Sequence, residues 1–281
     1  MEFKIGNKLI GDNHPVFIIA EMSCNHLQNY DYAVEIIKKA KEAGADAIKL
    51  QTYTPDTMTI DCNNEYFSLK GTIWEGKTLY ELYQEAYTPW EWQPKLKKIA
   101  EELGLIFFST PFDKTAVDFL EVLDVPVYKI ASYEITDIPL IEYIAEKQKP
   151  VIFSIGMGTL TDIDLVLSTI RNKQNNNIAL LKCVSAYPTP IKETNLLTIK
   201  NIPETFGVIP GLSDHTPTIT TSILSVALGA RIIEKHLTLD RKLGGPDAKF
   251  SLNPEEFKEM VQAVREAEKA LGHVTYALNE K

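Results

Sequence analysis

The sequence predicts a (β/α)8 TIM barrel, and three observations lead there. Eight short apolar runs recur at near-regular intervals along 281 residues. The runs are continuous rather than alternating, the pattern of strands covered on both faces of a parallel sheet. Stretches of helical period separate them, so strand and helix alternate from one end to the other.

The predicted strands, in order, are 16–22, 47–53, 105–110, 127–132, 151–155, 178–184, 208–212 and 231–239. The first helix, 32–43, presents Ala33, Ile36, Ile37 and Ala40 on one face and stops at Gly44. The second, 89–103, has Pro at its start and Gly104 at its end, the usual asymmetry of helix start and stop. Further helices are expected at 115–123, 138–146, 162–171, 218–228 and 254–271, while the connection 195–202 is short and weakly helical. The insertion 54–88 is long, and a long loop at the catalytic end of a barrel is a candidate substrate lid. No linker, internal repeat or low-complexity tract interrupts the chain, so residues 1–281 are expected to form one domain. The alternative is a doubly wound open sheet, which usually shows a Gly-rich turn after its first strand; Glu21-Met-Ser-Cys-Asn-His26 is not one.

Composition excludes several function classes. The chain is 44% hydrophobic and 24% charged, an ordinary globular balance, and no apolar run approaches the length needed to cross a bilayer. A net charge of −9 argues against a nucleic-acid partner. It does not argue against a small anionic ligand, because a few lysines in one pocket outweigh the average charge there. Cys24, Cys62 and Cys183 are odd in number and widely spaced, and read as reduced thiols of a cytoplasmic protein.

The chemistry sits at the strand ends. Ile209-Pro-Gly-Leu-Ser-Asp-His215 and Ala230-Arg-Ile-Ile-Glu-Lys-His236 are apolar runs that each close on a histidine, with room between them for one helix. Strand, helix, strand makes the two runs parallel neighbours, so both imidazoles emerge at one edge of the sheet. Two imidazoles there, with carboxylates nearby, are the makings of a divalent metal site. Glu21, an acid in the apolar context Phe17-Ile-Ile-Ala-Glu-Met22, needs a partner, and a metal would serve. The other strand ends offer Lys49 with Gln51, Ser109 with Thr110, Lys129 with Ser132 and Glu134, Ser154, Lys182 with Ser185 and Tyr187, and Ser213. Burying an ammonium without an anion is costly. Lysines and hydroxyls converging on one point therefore imply a doubly anionic ligand, such as a phosphate ester that also bears a carboxylate. Structural ion pairs or a Schiff-base lysine are other uses for Lys49, Lys129 and Lys182. His26 reads as a hydrogen-bonded structural histidine, and Glu234 as either an inward acid or a barrel salt-bridge partner.

Taken together, Ala20-Glu-Met-Ser-Cys-Asn-His26, Asp46-Ala-Ile-Lys-Leu-Gln-Thr52, Ser109-Thr-Pro-Phe112, Tyr128-Lys-Ile-Ala-Ser132, Tyr187-Pro-Thr189, Gly211-Leu-Ser-Asp-His215 and Ile233-Glu-Lys-His236 resemble the sialic acid synthase family. The likeness runs from Val16 to about Leu271. Lys70-Gly-Thr-Ile-Trp74, Leu79-Tyr-Glu-Leu-Tyr83 and Thr88-Pro-Trp-Glu-Trp92 look most like the branch that makes pseudaminic acid, as does Ser185 where many neuraminate synthases carry Asn. The resemblance implies a cofactor, Mn2+ or Mg2+, at His215 and His236 with Glu21 nearby. It implies phosphoenolpyruvate at Lys49, Thr110, Lys129, Ser132, Ser154, Ser185 and Ser213. An amino-sugar aldehyde would lie at Gln51, Glu134, Tyr187 and Asp247, with Glu134, Glu21 and Lys129 catalytic.

The resemblance also implies a homodimer in which a small C-terminal antifreeze-like domain reaches the partner's site. The sequence stops at Lys281, before any such domain, so it is either a piece of a longer chain or a barrel-only member. A homodimer is expected, weakened or altered if the domain is truly absent. Other readings of the same residues are a sister synthase acting on N-acetylmannosamine or the legionaminate precursor, a Schiff-base aldolase using Lys129 or Lys182, and a sugar- or phosphate-binding pseudoenzyme.

Overall fold

The structure, a computed structural model, describes residues 1–276; the last residues of the predicted domain, 277–281, lie outside it. A hairpin comes first, β1 (Glu2–Ile5) and β2 (Lys8–Gly11), antiparallel with Glu2 opposite Gly11. Then come β3 (Phe17–Glu21), α1 (Tyr30–Ala43), β4 (Ala47–Thr52), α2 (Pro55–Met58), α3 (Leu79–Ala86), α4 (Gln93–Glu102) and β5 (Ile106–Pro111). The chain continues through α5 (Lys114–Val122), β6 (Tyr128–Ile130), α6 (Ile138–Glu146), β7 (Val151–Ser154), α7 (Leu160–Asn172) and β8 (Ile178–Lys182). It closes with α8 (Leu197–Phe206), β9 (Ile209–Asp214), α9 (Thr220–Ala227), β10 (Ile232–His236) and α10 (Pro254–Leu271).

Strands β3 to β10 form a closed parallel barrel in sequence order, with β10 pairing back onto β3. The expected TIM barrel is thus the observed fold, each strand within a few residues of its predicted bounds. Strands such as β3 and β7 are buried at every residue, as the continuous apolar runs require. The helices begin and end where local chemistry tells them to. Asn29 Oδ1 accepts from the amides of Asp31 and Tyr32 to start α1, and Gly44 ends it in the left-handed region at φ 92°. At α10, Asn253 and Glu256 accept reciprocally from each other's amides, a capping box.

Three features differ from the sequence reading. The N-terminal hairpin has no counterpart in it, because two four-residue strands joined by a tight turn carry little periodicity. The connection after β8, weakly helical by sequence, holds the ten-residue helix α8, which tolerates Pro203 in its last turn. The long insertion is partly ordered, carrying α2 and α3 rather than bare loop.

The hairpin packs against the N-terminal ends of the barrel strands. Phe3, Ile5 and Ile10 are buried in the core, and Lys8 Nζ lies 2.9 Å from Asp46 Oδ1. Asp46 Oδ2 also accepts from the Ile18 amide at 2.9 Å and from Arg265 at 3.0 Å. One carboxylate therefore ties the hairpin, β3 and α10 together at the end away from the site.

Candidate active site

Inward and outward side chains alternate along each barrel strand, and that alternation decides which polar residues meet. On β10, Glu234 and His236 point in while Lys235 points out; on β9, Ser213 points in and Asp214 out. Glu21 is the register partner of both His236 and Lys49, Thr110 of Gln51, and Glu234 of Ser213. All these inward residues line one cavity of about 520 Å3 at the C-terminal ends of the strands. Every residue that the family resemblance assigns to metal, phosphoenolpyruvate or sugar lines this cavity except Ser185, whereas Ser109 and Lys182 of the same strand ends do not. Ser185 sits behind it and donates to Ser132 Oγ at 3.0 Å. The room for this pair depends on Gly156, where a Cβ would fall 2.4 Å from Ser185 Oγ and 2.9 Å from Ser132 Oγ.

The centre is a buried chain of alternating charge. Lys49 Nζ lies 2.8 Å from Glu21 Oε2 and 3.7 Å from Glu234 Oε1, and donates to Thr110 Oγ1 at 3.2 Å. Gln51 Nε2 donates to Glu21 Oε1 at 3.0 Å. Ser213 Oγ donates to Glu234 Oε1 at 3.2 Å, while Glu234 Oε2 is buried without a partner. Lys129 Nζ donates to Ser154 Oγ at 2.8 Å and to the Ile130 carbonyl at 3.0 Å. Burial disfavours the Lys49 charge, but Glu21 and Glu234 outweigh it and hold this ammonium above its ordinary value. For Lys129 burial wins, and its value is lowered. Burial would lift Glu234, yet Lys129 and Lys49 keep it below the usual carboxylate range. Glu21, buried and beside Glu234, is raised to about 7 despite Lys49.

The two histidines face each other with ring centroids 5.3 Å apart. Burial drags His215 down to about 4, and His236, buried and beside His215, lies well below its ordinary value. Both are neutral near pH 7, the form that ligates metal. His215 Nδ1 lies 3.3 Å from the Val184 carbonyl and 3.7 Å from Cys183 Sγ, which leaves its other ring nitrogen for a ligand. His236 Nδ1 is buried without a hydrogen-bond partner, with Asp247 Oδ2 3.5 Å away. Neutral imidazoles, one with an orphaned nitrogen, are a donor set that fits a divalent cation. Glu21, the register partner of His236, directs Oε2 to Lys49 and Oε1 to Gln51. Among the described residues no three His, Cys, Asp or Glu side chains close into a metal-holding cluster.

Two outward lysines are structural in their contacts. Lys182 alternates away from the cavity and donates to the Cys183 carbonyl at 3.1 Å, leaving Cys183 to face inward. Lys235 is fully buried outside the barrel, 2.8 Å from Asp214 Oδ2. His26 is also away from the cavity, its Nε2 3.1 Å from Thr88 Oγ1 and its ring edge-on to Trp92. Glu134, on the turn after β6, is different: Oε2 is buried without a partner, and burial lifts the carboxyl to about 7.

Sequence reasoning does not single out Ser23, Cys24, Tyr53, Cys183 or Phe250, all of which line the cavity. Period-two counting from His215 and His236 would have found Cys183 and Glu234, since neighbouring parallel strands share one inward register. Tyr53 and Phe250 carry no such signal; their rings reach the cavity through packing against Phe112 and Tyr187.

A parallel barrel whose strand ends bring lysines, hydroxyls, carboxylates and two neutral imidazoles into one cavity has the layout of a synthase acting on an anionic substrate. The chain belongs to the NeuB family, whose model matches residues 36–276. It is 45% identical over 278 residues to a pseudaminic acid synthase of Campylobacter jejuni, covering 99% of this chain and 80% of that protein. To the pseudaminic acid synthase of Helicobacter pylori it is 46% identical over 267 residues, 95% of this chain and 78% of that one. Among solved structures, an N-acetylneuraminic acid synthetase from Leptospira borgpetersenii in complex with citrate superposes with a TM-score of 0.89 at 34% identity, covering 99% of this chain and 93% of that one.

Proposed function

We propose that this chain condenses phosphoenolpyruvate with 2,4-diacetamido-2,4,6-trideoxy-L-altrose and water to give pseudaminic acid and phosphate, with residues 1–281 acting as one barrel domain. The observation that carries the reading is the meeting, in one cavity, of two neutral imidazoles with a lysine and hydroxyl cluster suited to a doubly anionic ester. A relative 45% identical to this chain is a pseudaminic acid synthase, which supports pseudaminic acid as the product.

Lys49 and Lys129, with the hydroxyls of Thr110, Ser132, Ser154 and Ser213, hold the phosphate and carboxylate of phosphoenolpyruvate, and Ser185 orients Ser132. In a buried site such charge-assisted contacts are worth more than in water. His215 and His236 would hold Mn2+ or Mg2+, with Glu21 beside them, and the ion when bound would supply Lewis-acid polarisation of the sugar's aldehyde. Gln51, Tyr187 and Asp247 orient the open-chain sugar. Carbon 3 of phosphoenolpyruvate attacks the aldehyde carbon, water adds at carbon 2, and the carbon–oxygen bond to phosphate breaks. Glu134, poised near neutrality with a free oxygen in the cavity, moves the proton at carbon 2.

Phosphate release in the presence of phosphoenolpyruvate, Mn2+ and each candidate sugar, with an EDTA control, tests the proposal. Release with the diacetamido sugar that stops under EDTA is expected. Release with N-acetylmannosamine alone would move the chain to the sister reaction. A lysine labelled by borohydride with pyruvate would replace the mechanism by a Schiff base.

A further inference from the structure

The condensation leaves a large share of the cavity wall unassigned. Between β4 and α4 the chain contributes Met58, Leu69, Trp74, Leu79, Leu82 and Tyr83 to the lining, with the single threonine Thr72 among them. The same segment carries nine charged residues, Asp56, Asp61, Glu65, Lys70, Glu75, Lys77, Glu81, Glu85 and Glu91, and none of these lines the cavity. Strand ends and insertion thus divide the labour: the former supply the charge and most hydroxyls, the latter mainly hydrocarbon and aromatic rings, with the Thr72 and Tyr83 hydroxyls among its polar atoms.

This wall is pinned in place. The indole N–H of Trp74 donates to the Pro246 carbonyl at 2.9 Å, next to Asp247, and its ring stands 6.0 Å from that of Tyr187. The Leu69 amide donates to the Lys77 carbonyl and the Leu79 amide to that of Phe67, both at 2.8 Å. Tyr83 packs edge-on to Tyr53 at 5.8 Å. A hydroxyl pressed against Met58, Leu69, Leu79 or Leu82 would lose its water without gaining a partner, whereas a methyl group would gain from the same burial.

We propose that the wall formed by Met58, Leu69, Trp74, Leu79, Leu82 and Tyr83 is the specificity element of the site. It receives the deoxygenated, methyl-bearing part of an amino-sugar aldehyde and disfavours aldehydes that carry hydroxyls there. The inference rests on the condensation reading above and assigns the insertion its task within it.

The test compares kcat/KM for phosphate release from phosphoenolpyruvate with two aldehydes, the diacetamido-trideoxy sugar and N-acetylmannosamine, on the full chain. The wild type should favour the deoxy sugar by at least about tenfold, the scale on which apolar pockets discriminate. Leu69→Ser should narrow that ratio about tenfold, mainly through a higher KM for the deoxy sugar. Met58→Ser carries the same expectation if the first variant misfolds by circular dichroism. Equal use of both sugars by the wild type, or a loss in the variant that is the same for both, would overturn the wall's role while leaving the condensation intact. No release with any sugar would overturn the condensation and the wall together.

Discussion

Lys235 and Asp214 form an ion pair at 2.8 Å that is closed off from solvent on the outer side of the barrel, one residue from each cavity histidine. Lys235 also donates to the carbonyls of Thr216 at 2.6 Å and Thr218 at 3.0 Å. Asp214 accepts from the Thr216 amide and from the hydroxyls of Thr221 and Ser222. The pair thus fixes the backbone on which His215 stands. Removing one partner strands the other charge in the interior, so Lys235→Met should destabilise the fold by about 3–5 kcal/mol in urea unfolding.

The histidines can be separated from the rest of the site by metal content. His215→Ala and His236→Ala should each lose bound Mn2+ after dialysis and lose phosphate release with it, while the wild type retains the ion. Elemental analysis of the dialysed proteins is the check. Full Mn2+ retention by both variants would remove these residues from the metal site.

Lys129 and Ser154 are hydrogen-bonded at 2.8 Å inside the cavity, and both are assigned to phosphoenolpyruvate. Lys129→Met should raise the KM for phosphoenolpyruvate roughly 10- to 100-fold, the worth of one or two charge-assisted contacts. The KM for the sugar should change much less, which initial-rate kinetics with either substrate varied will show.

Glu134 makes a stability prediction as well as a catalytic one. Burial raises its carboxyl to about 7 from an ordinary 4.5. The folded chain therefore keeps a proton that the unfolded chain has already released between those values. The stability this gives is fully present below about pH 4.5 and is lost as pH rises through about 7. Glu134→Gln has no such loss. At pH 8 it should be more stable than the wild type by up to about 3 kcal/mol, since each tenfold change in proton affinity is worth roughly 1.4 kcal/mol. Denaturant midpoints measured from pH 5 to pH 8 should diverge upward for the variant. Its phosphate release should fall about 10²- to 10⁴-fold.

Much of this architecture was legible in the sequence, for a physical reason. A barrel strand must be apolar on both faces, so runs such as Val151–Ser154 announce themselves, and its catalytic end must be polar, so Lys49, Ser213 and His236 mark where each run stops. What the chain does not spell out is direction. Lys182 and Lys49 look alike in sequence, yet one points out of the barrel and one in, because position along the two-residue repeat differs. Glu21 reads as an acid short of a cation, and the cation it finds is Lys49. The insertion is legible only as length, since the choice of which side chains face the cavity depends on tertiary anchors such as Trp74 to Pro246.

The hairpin that precedes the barrel has a bearing on traffic. Phe3, Ile5 and Ile10 stop the floor of the barrel with hydrocarbon, and Asp46 bolts the stopper down from three sides. The molecule behaves as a cup rather than a tube. Reactants reach and products leave the strand-end cavity by the rim on which the insertion sits.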